Sequence, residues 1–293
     1  MKIHWLSACL ALGFVAESKA AGFQLTDQKA AIQSSAVTEA SGLAVSAKDD
    51  HFLWTLNDSG GTPDLHLLNP DGADRGKVTV TNAKNIDWED IASFTLDGKP
   101  YLLIADTGDN KSVRKSCTIH IVREPKLPAD GQKIEGTVAA DWHIDFTYEG
   151  GPRDCEAVAV DSINQKIILI SKRTTPPEVY ELPLRALEKK GLLIVKEIGQ
   201  TAVESPVTLP FYSQPVGLDI TRDDSLAAVV TYYGVFLFPR KSDETWADAF
   251  SHKPDLLAPH GLHQAESVAF SNDGKTIYVV SEGRNSPIKI YQR

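Results

Sequence analysis

The sequence predicts an all-β protein with the β-propeller fold, because one phrase of strand, polar turn and longer strand occurs five times. The first apolar residues of the five phrases are Leu43, Ile91, Val158, Leu218 and Val268, which lie 48, 67, 60 and 50 residues apart. Repeats of this length that consist of short strands are typical of propeller blades. The predicted number of blades is therefore five, with six as the alternative.

A β-sandwich is the rival all-β fold, since it also consists of short strands joined by turns. A sandwich does not require one phrase to recur in the same register, so the repeats favour the propeller. The chain has 293 residues, of which 42% are apolar, enough for a substantial core. We therefore expect residues 21–293 to form one propeller domain.

Each repeat is expected to supply four strands, named a to d from the axis outward. Polar turns such as Asp97-Gly98 join strands a and b into a hairpin. Strand c is predicted at residues 65–68, 118–122, 179–182, 235–238 and 288–291. Strand d is predicted at residues 77–81, 141–148, 192–198 and near 255–258. Residues 123–136 lengthen the second repeat as an insertion, and residues 183–190 have a short helical pattern.

The fifth repeat has no sequence for a strand d, because the chain ends shortly after Tyr291. An outer edge without a partner would be left open. We expect the segment near Phe23, Gln24 and Leu25 to supply the missing strand and so close the propeller with an N-terminal strand.

Residues 1–20 have the layout of a cleaved secretory signal. Lys2 precedes an apolar segment at residues 5–16, and Ser18-Lys19-Ala20 provides the small residues of a cleavage site after Ala20. This predicts a periplasmic or secreted protein. Lipidation at Cys9 is the lesser alternative, because only five residues precede its Leu-Ser-Ala-Cys box. No later apolar run has the length of a membrane span.

The formal net charge is −9, and signal removal makes the mature chain one unit more negative. An acidic surface argues against nucleic acid or an anionic membrane as a partner and suits cations. Cys117 and Cys155 remain after signal removal, in a compartment where disulfides persist. We therefore predict a disulfide between them.

The candidate site lies on the face of the propeller where the loop into strand a and the turn after strand b meet. We call the end of the central channel on this face the mouth. Aligned phrases place Ser41, Glu89, Glu156, Val216 and Glu266 before strand a, and Asp58, Asp106, Lys172, Tyr232 and Glu282 after strand b. Converging carboxylates repel one another unless they bind a cation or a proton. The pattern predicts a Ca²⁺ site at the mouth with ligands among Glu89, Glu156, Glu266, Asp58, Asp106 and Glu282. The competing interpretation is that these acids are solvated or satisfy backbone N–H groups.

Basic and aromatic residues interrupt the acids in one sector. Arg153, Lys172 and Arg173, with Tyr232, form a candidate binding site for a phosphate or carboxylate group beside the cation. The alternative is that these cations pair with neighbouring acids. His260 and His263 are a weaker candidate pair of transition-metal ligands.

Two phrases resemble a known family. Residues 264–269, Gln-Ala-Glu-Ser-Val-Ala, with residues 277–285, resemble the last repeat of the SdiA-regulated, YjiK-like bacterial propellers. Residues 87–92 resemble the Leu-Glu-Gly-Ile-Ala phrase of that family and are similar to the Glu-Gly-Ile-Ala phrase of esterase-like phytase propellers. Asp90 and Ser267 replace the family's glycine, and Val216 stands where an acid is expected. The resemblance implies a secreted propeller that binds Ca²⁺, with phosphoester hydrolysis as a further possibility.

Two functions follow from these patterns. The first is a binding propeller whose mouth holds a divalent cation and a small-molecule, phosphate-bearing or peptide ligand. The second is a metal-assisted hydrolase of phosphoesters or lactones, which also needs an open metal position and a poised base. The sequence shows convergence of acids and identifies no catalytic residue, so it favours binding. The oligomeric state is left open.

Overall fold

The computed structural model describes residues 22–185 and 191–293. The predicted signal and Cys9 lie outside the described residues, as does most of the predicted helix at residues 183–190. Within those two described ranges, no helix has both the length and the apolar character needed to cross a bilayer.

The fold is a β-propeller of five blades, as predicted. Two short strands come first, β1 (Gln24–Leu25) and β2 (Ala30–Ala31). Blade 1 contains β3 (Ala40–Val45), β4 (Leu53–Asn57), β5 (Asp64–Leu68) and β6 (Asp74–Val80). Blade 2 contains β7 (Trp88–Leu96), β8 (Lys99–Asp106), β9 (Cys117–Arg123) and, after β10 (Ile134–Val138), β11 (Ala140–Tyr148).

The remaining three blades follow the same antiparallel order. Blade 3 contains β12 (Asp154–Asp161), β13 (Lys166–Lys172), β14 (Glu178–Pro183) and, after β15 (Leu193–Val195), β16 (Glu197–Gln200). Blade 4 contains β17 (Gly217–Ile220), β18 (Leu226–Val230), β19 (Val235–Pro239) and, after helix α1 (Trp246–Ser251), β20 (Asp255–Leu256). Blade 5 contains β21 (Ala265–Phe270), β22 (Thr276–Ser281) and β23 (Pro287–Gln292).

The innermost strands form a closed ring. Strands β3, β7, β12, β17 and β21 each contact the next, and β21 contacts β3. A separate apolar cluster fills each of the five spaces between neighbouring blades. The core is therefore distributed around the axis. In every repeat, the two faces of the blade sheet are buried against the neighbouring blades.

In blades 2, 3 and 4, the segment that connects strand c to strand d packs against the preceding blade. β10, in the connection of blade 2, pairs in parallel with β6 of blade 1. β15, in the connection of blade 3, pairs in parallel with β11 of blade 2. Helix α1 leaves blade 4 and packs on β16, where the Ala247 side chain lies against Gly199. These pairings correct two expectations: residues 123–136 are not only an insertion, and residues 192–198 do not form one strand. Covering an outer edge in this way protects it from pairing with another chain.

The two N-terminal strands lie against the last strand of the chain. β1 pairs antiparallel with β23 through Gln24–Gln292 and Leu25–Tyr291, and β2 pairs with it through Ala30–Ile288. Phe23 is buried with the apolar cluster between blades 4 and 5.

Candidate functional site

A β-bulge occurs at the start of strand a in four blades. The register shifts between Ala40 and Gly42, Trp88 and Asp90, Cys155 and Ala157, and Ala265 and Ser267. The extra residues are therefore Ser41, Glu89, Glu156 and Glu266. A bulge re-aims the side chain of its extra residue. The glutamate that recurs in the repeats therefore occupies a β-bulge, and the bulge points its carboxyl group into the mouth.

The bulge side chains contact one another or their neighbours after strand b. The Ser41 hydroxyl donates to the Glu89 carboxylate at 3.2 Å. The Lys172 ammonium donates to Glu156, and both side chains are almost completely buried. The Tyr232 hydroxyl donates to Glu266 at 2.9 Å. The structure therefore brings predicted residues from before strand a and from after strand b together at one end of the axis.

Glu89 is shared by two groups of carboxylates. Asp58, Asp87 and Glu89 each offer one oxygen, and these oxygens lie within 4.8 Å of one another. Asp154 and Glu156 form a second such group with Glu89. Two oxygens on opposite sides of a Ca²⁺ ion are about 4.8 Å apart, since Ca–O bonds are roughly 2.4 Å long. Either group fits one Ca²⁺ ion without a large rearrangement.

Sequence reasoning missed two members of these groups, Asp87 and Asp154. Each stands two residues before a bulge glutamate, and the other repeats have polar residues at the same place. These equivalent residues are Glu39, Gln214 and Gln264. An alignment of the repeats that begins two residues earlier identifies this third set of residues at the mouth.

A glycine provides the space that the first group needs. A Cβ atom on Gly108 would lie 2.0 Å from Glu89 Oε1 and 2.6 Å from the Asp87 carboxyl carbon. A side chain would fit there only if Glu89 and Asp87 moved, because such contacts are far below van der Waals distance. Gly108 therefore lets Asp87 and Glu89 approach each other against the backbone that follows strand β8.

The two groups differ in the cations around them. Lys172 pairs with Glu156, and Arg173 Nε lies 2.6 Å from Asp154 Oδ2. Among the described residues, no lysine or arginine makes an ion pair with Asp58, Asp87 or Glu89. An added cation would gain more from this unneutralised group, so Asp58, Asp87 and Glu89 form the stronger metal candidate.

Burial and mutual repulsion favour the protonated forms of these acids. Burial, followed by the negative charges of Glu156 and Asp58, raises the pKa of Glu89 well above its usual value. Burial also raises the pKa of Asp58, and it raises that of Asp87 to about 6. A bound cation would reverse this effect by stabilising the ionised forms.

Two further glutamates of the mouth have perturbed pKa values. Burial raises the pKa of Glu156 to about 7, although Lys172 opposes the change. Burial, with Glu156 and Glu282 nearby, raises the pKa of Glu266 to about 9. Without a cation, burial and the neighbouring carboxylates therefore favour the protonated form of Glu266 at neutral pH, whereas the Lys172 ammonium favours the ionised form of Glu156.

The other predicted ligands lie outside both carboxylate groups. Asp106 Oδ1 is 2.8 Å from Arg114, and Glu282 accepts a hydrogen bond from the Gln264 amide at 2.7 Å. Glu266 lies across the mouth, beside Tyr232. These three acids therefore have partners of their own in the arrangement the structure shows.

The basic residues also have acidic partners. Arg153 Nε donates to Glu178 at 2.6 Å, on the side of blade 3. Lys172 and Arg173 face the mouth, and the Arg173 guanidinium lies over the Phe211 ring at 5.6 Å. The structure thus places Lys172, Arg173 and Tyr232 at the mouth and directs Arg153 away from it.

An open cavity of about 660 Å³ is lined by Tyr232, whose hydroxyl donates to Glu266, and so lies close to that acid. Its lining is rich in aromatic residues and includes Phe211, Tyr212, Tyr232, Tyr233 and Gln264. Such a volume matches a small-molecule site, where apolar walls supply contact area and a few polar groups supply orientation.

The predicted disulfide is absent from the structure. Cys117 and Cys155 are both buried free thiols in the apolar cluster between blades 2 and 3. The Cys155 thiol donates to the Ile170 carbonyl at 3.3 Å, within its own blade. Cys155 lies on β12 rather than in the preceding loop, so its side chain packs into the core.

The predicted histidine pair is also not formed. Both ring nitrogens of buried His260 have backbone partners, the Thr231 carbonyl at 3.1 Å and the Leu262 N–H at 3.0 Å. His263 is exposed. His260 therefore organises the loop before β21.

Comparison with known proteins gives no family for this chain: no family model matches it, and neither does any curated protein.

Proposed function

We propose that this protein is an exported propeller that binds Ca²⁺ at its acidic mouth, through Glu89, Asp58 and Asp87. The supporting observation is that Glu89 is 3% exposed, belongs to two carboxylate groups and accepts one side-chain hydrogen bond within the described part of the chain, from Ser41. A buried carboxylate with so few donors is costly unless it is protonated or bound to a cation.

The donor set suits Ca²⁺ better than other common metals. Three carboxylates offer up to six oxygens, and Ca²⁺ accepts six to eight in irregular geometry. Mg²⁺ demands a near-ideal octahedron, and transition metals prefer nitrogen or sulfur ligands, which neither carboxylate group contains.

The ligand part of the proposal is a small molecule or peptide with a carboxylate or phosphate group, held in the cavity beside Glu266. Aromatic walls would contact its apolar part, while Lys172 and Arg173 lie toward its acidic group. This arrangement needs no catalytic base, and it is consistent with the secreted, SdiA-regulated-like propellers that the sequence resembles. The N-terminal strands β1 and β2 would act as the closing outer strand of blade 5.

Thermal unfolding with and without Ca²⁺ tests the metal site. Protein treated with chelator should gain about 2.7 kcal/mol of stability when Ca²⁺ reaches a hundred times its Kd. Glu89→Gln and Asp87→Asn should abolish the gain. Glu282→Gln, a matched change at a carboxylate outside both groups, should keep it. An equal melting temperature in Ca²⁺ and chelator would refute the proposal.

A metal-assisted hydrolase is the second candidate, and one observation favours it. The buried Glu156 carboxylate has an oxygen within 4.8 Å of one of Glu89, so it would stand beside a bound metal, and burial raises its pKa in the direction that suits a general base. Ca²⁺-dependent turnover of p-nitrophenyl phosphate or of a simple lactone, lost in Glu156→Gln, would support it. No turnover by Ca²⁺-loaded protein would leave binding as the function.

A further inference from the structure

Two histidines face each other across adjacent strands of blade 2, on the side toward blade 1. His120 on β9 is directly opposite His143 on β11. Their Nδ1 atoms are 2.8 Å apart, and the two rings are nearly perpendicular, at 88°. His120 is 6% exposed, whereas His143 is exposed. The pair is therefore held firmly on one side and open to solvent on the other.

The surroundings of His120 fix its tautomer. A hydrogen bond between two Nδ1 atoms needs one protonated and one bare nitrogen. His120 Nε2 is buried without a hydrogen-bond partner and lies 4.0 Å from Asp106 Oδ2. A bare nitrogen facing a carboxylate would be repelled, so Nε2 carries the proton. His120 Nδ1 is then bare, and its lone pair points at His143.

We propose that His120 and His143 form a binding site for a divalent transition metal, Cu²⁺ or Ni²⁺, that is separate from the acidic mouth. The metal would replace the shared proton and would bond to both Nδ1 atoms from a point off the line that joins them. The His143 proton moves from Nδ1 to Nε2 by exchange with water, so no net proton is released and both imidazoles remain neutral.

The distance between the nitrogens selects the geometry. With metal–imidazole bonds of about 2.0–2.1 Å, two nitrogens at 90° lie about 2.9 Å apart, and two at a tetrahedral angle lie about 3.3 Å apart. The observed 2.8 Å matches the 90° arrangement. Square-planar and octahedral sites have this angle, which is characteristic of Cu²⁺ and Ni²⁺ rather than Zn²⁺.

Asp106 is the positioning residue of this site. Metal-binding histidines commonly direct their second nitrogen at a carboxylate, which fixes the ring. Asp106 lies behind His120 in this way, and Arg114 holds the carboxylate from the other side at 2.8 Å. The Trp88 ring, 6.2 Å from the His120 ring, provides an apolar wall. Water would complete the coordination on the exposed side.

Electron paramagnetic resonance of the Cu²⁺ complex tests the proposal, on full-length protein without a polyhistidine tag. One equivalent of Cu²⁺ should show coupling to two imidazole nitrogens. His143→Gln, a change at an exposed position, should leave one coupling and weaken Cu²⁺ binding at least tenfold. His263→Gln, at another exposed histidine, should change neither.

Glu89→Gln should retain the two-imidazole spectrum, which separates this site from the Ca²⁺ site. A wild-type spectrum without two imidazole couplings would overturn the proposal. So would a His143→Gln protein with the affinity of the wild type, because the copper would then lie at another place.

Discussion

The carboxylate of Asp90 in blade 2 accepts a hydrogen bond from the backbone N–H of Val158 in blade 3, at 2.9 Å. The same oxygen accepts from the Leu218 N–H in blade 4 at 3.2 Å, and the other oxygen accepts from Ile91 at 2.8 Å. One completely buried side chain therefore connects the inner strands of three blades.

The other repeats leave room for this side chain. The residues equivalent to Asp90 are all small: Gly42, Ala157, Gly217 and Ser267. A Cβ atom on Gly42 would lie 2.6 Å from the backbone nitrogen of Ile91. The presence of Asp90 where the other repeats have a small residue thus has a structural explanation, because a single carboxylate fills the axis below the mouth.

Replacement of Asp90 by alanine should destabilise the whole propeller. Three backbone N–H groups would lose their acceptor, at about 1–3 kcal/mol for each buried donor. We expect the free energy of unfolding, measured in urea, to fall by roughly 3 kcal/mol or more. Asp130→Ala, an exposed change, is the control. A loss no larger than that of the control would contradict the bridging role.

The repeats in the sequence predict the fold and three of the five carboxylates of the site. Aligned phrases identified Glu89, Glu156 and Asp58, because the repeat fixes which positions meet at the axis. The strand β10 and the pairing of β15 with a neighbouring blade were not predicted, since both strands are short and partly exposed. Such pairing depends on where the neighbouring blade lies in the folded chain. The paired segments therefore show little hydrophobic periodicity in the sequence.

Substitution of Gly108 by alanine should remove Ca²⁺ binding and leave the fold intact. The new methyl group would occupy the space of Glu89 Oε1, which must then turn away from Asp87. Calorimetric titration should show at least a tenfold loss of affinity, whereas circular dichroism should not change. Gly61→Ala, at a glycine with open space around it, serves as the matched control. Unchanged affinity would place the metal elsewhere.

The cysteines should be unreactive in the folded protein and reactive after unfolding. Burial raises the pKa of the Cys117 thiol to about 12 and that of Cys155 well above its usual value. Thiolates are the reactive form, so a thiol reagent should find no thiol in the native mature protein and two in denaturant. No thiol in either condition would show the disulfide that the sequence predicts.

Removal of β1 should weaken blade 5. A chain that starts at Lys29 lacks the strand and also Phe23, whose ring packs 6.4 Å from that of Phe270. Burial of a phenylalanine contributes about 1.5–3 kcal/mol, and the edge of β23 would also lose its partner. The melting temperature should fall relative to that of a chain starting at Gly22. Equal melting temperatures would rule out a closing role for β1.

The metal-free protein should lose stability as the pH rises from 5.5 to 8. The pKa of Glu266 is raised to about 9, so the folded state holds its proton in a range where the unfolded state has released it. The folded state then binds more protons, and stability is present at low pH and lost as the pH rises toward 9. Each pH unit costs up to about 1.4 kcal/mol for one such group. Urea unfolding in chelator across this range measures the slope.

The Glu266→Gln variant and added Ca²⁺ separate the groups that cause this change of stability with pH. The amide cannot titrate, so the variant should lose the part due to Glu266 and keep the part due to Asp87, whose pKa is raised to about 6. Ca²⁺ at Asp58, Asp87 and Glu89 should lower the pKa values of those acids. It should therefore remove the part of the pH dependence that is due to them. If Ca²⁺ changes neither the slope nor the stability at pH 8, the carboxylates of the mouth bind only protons.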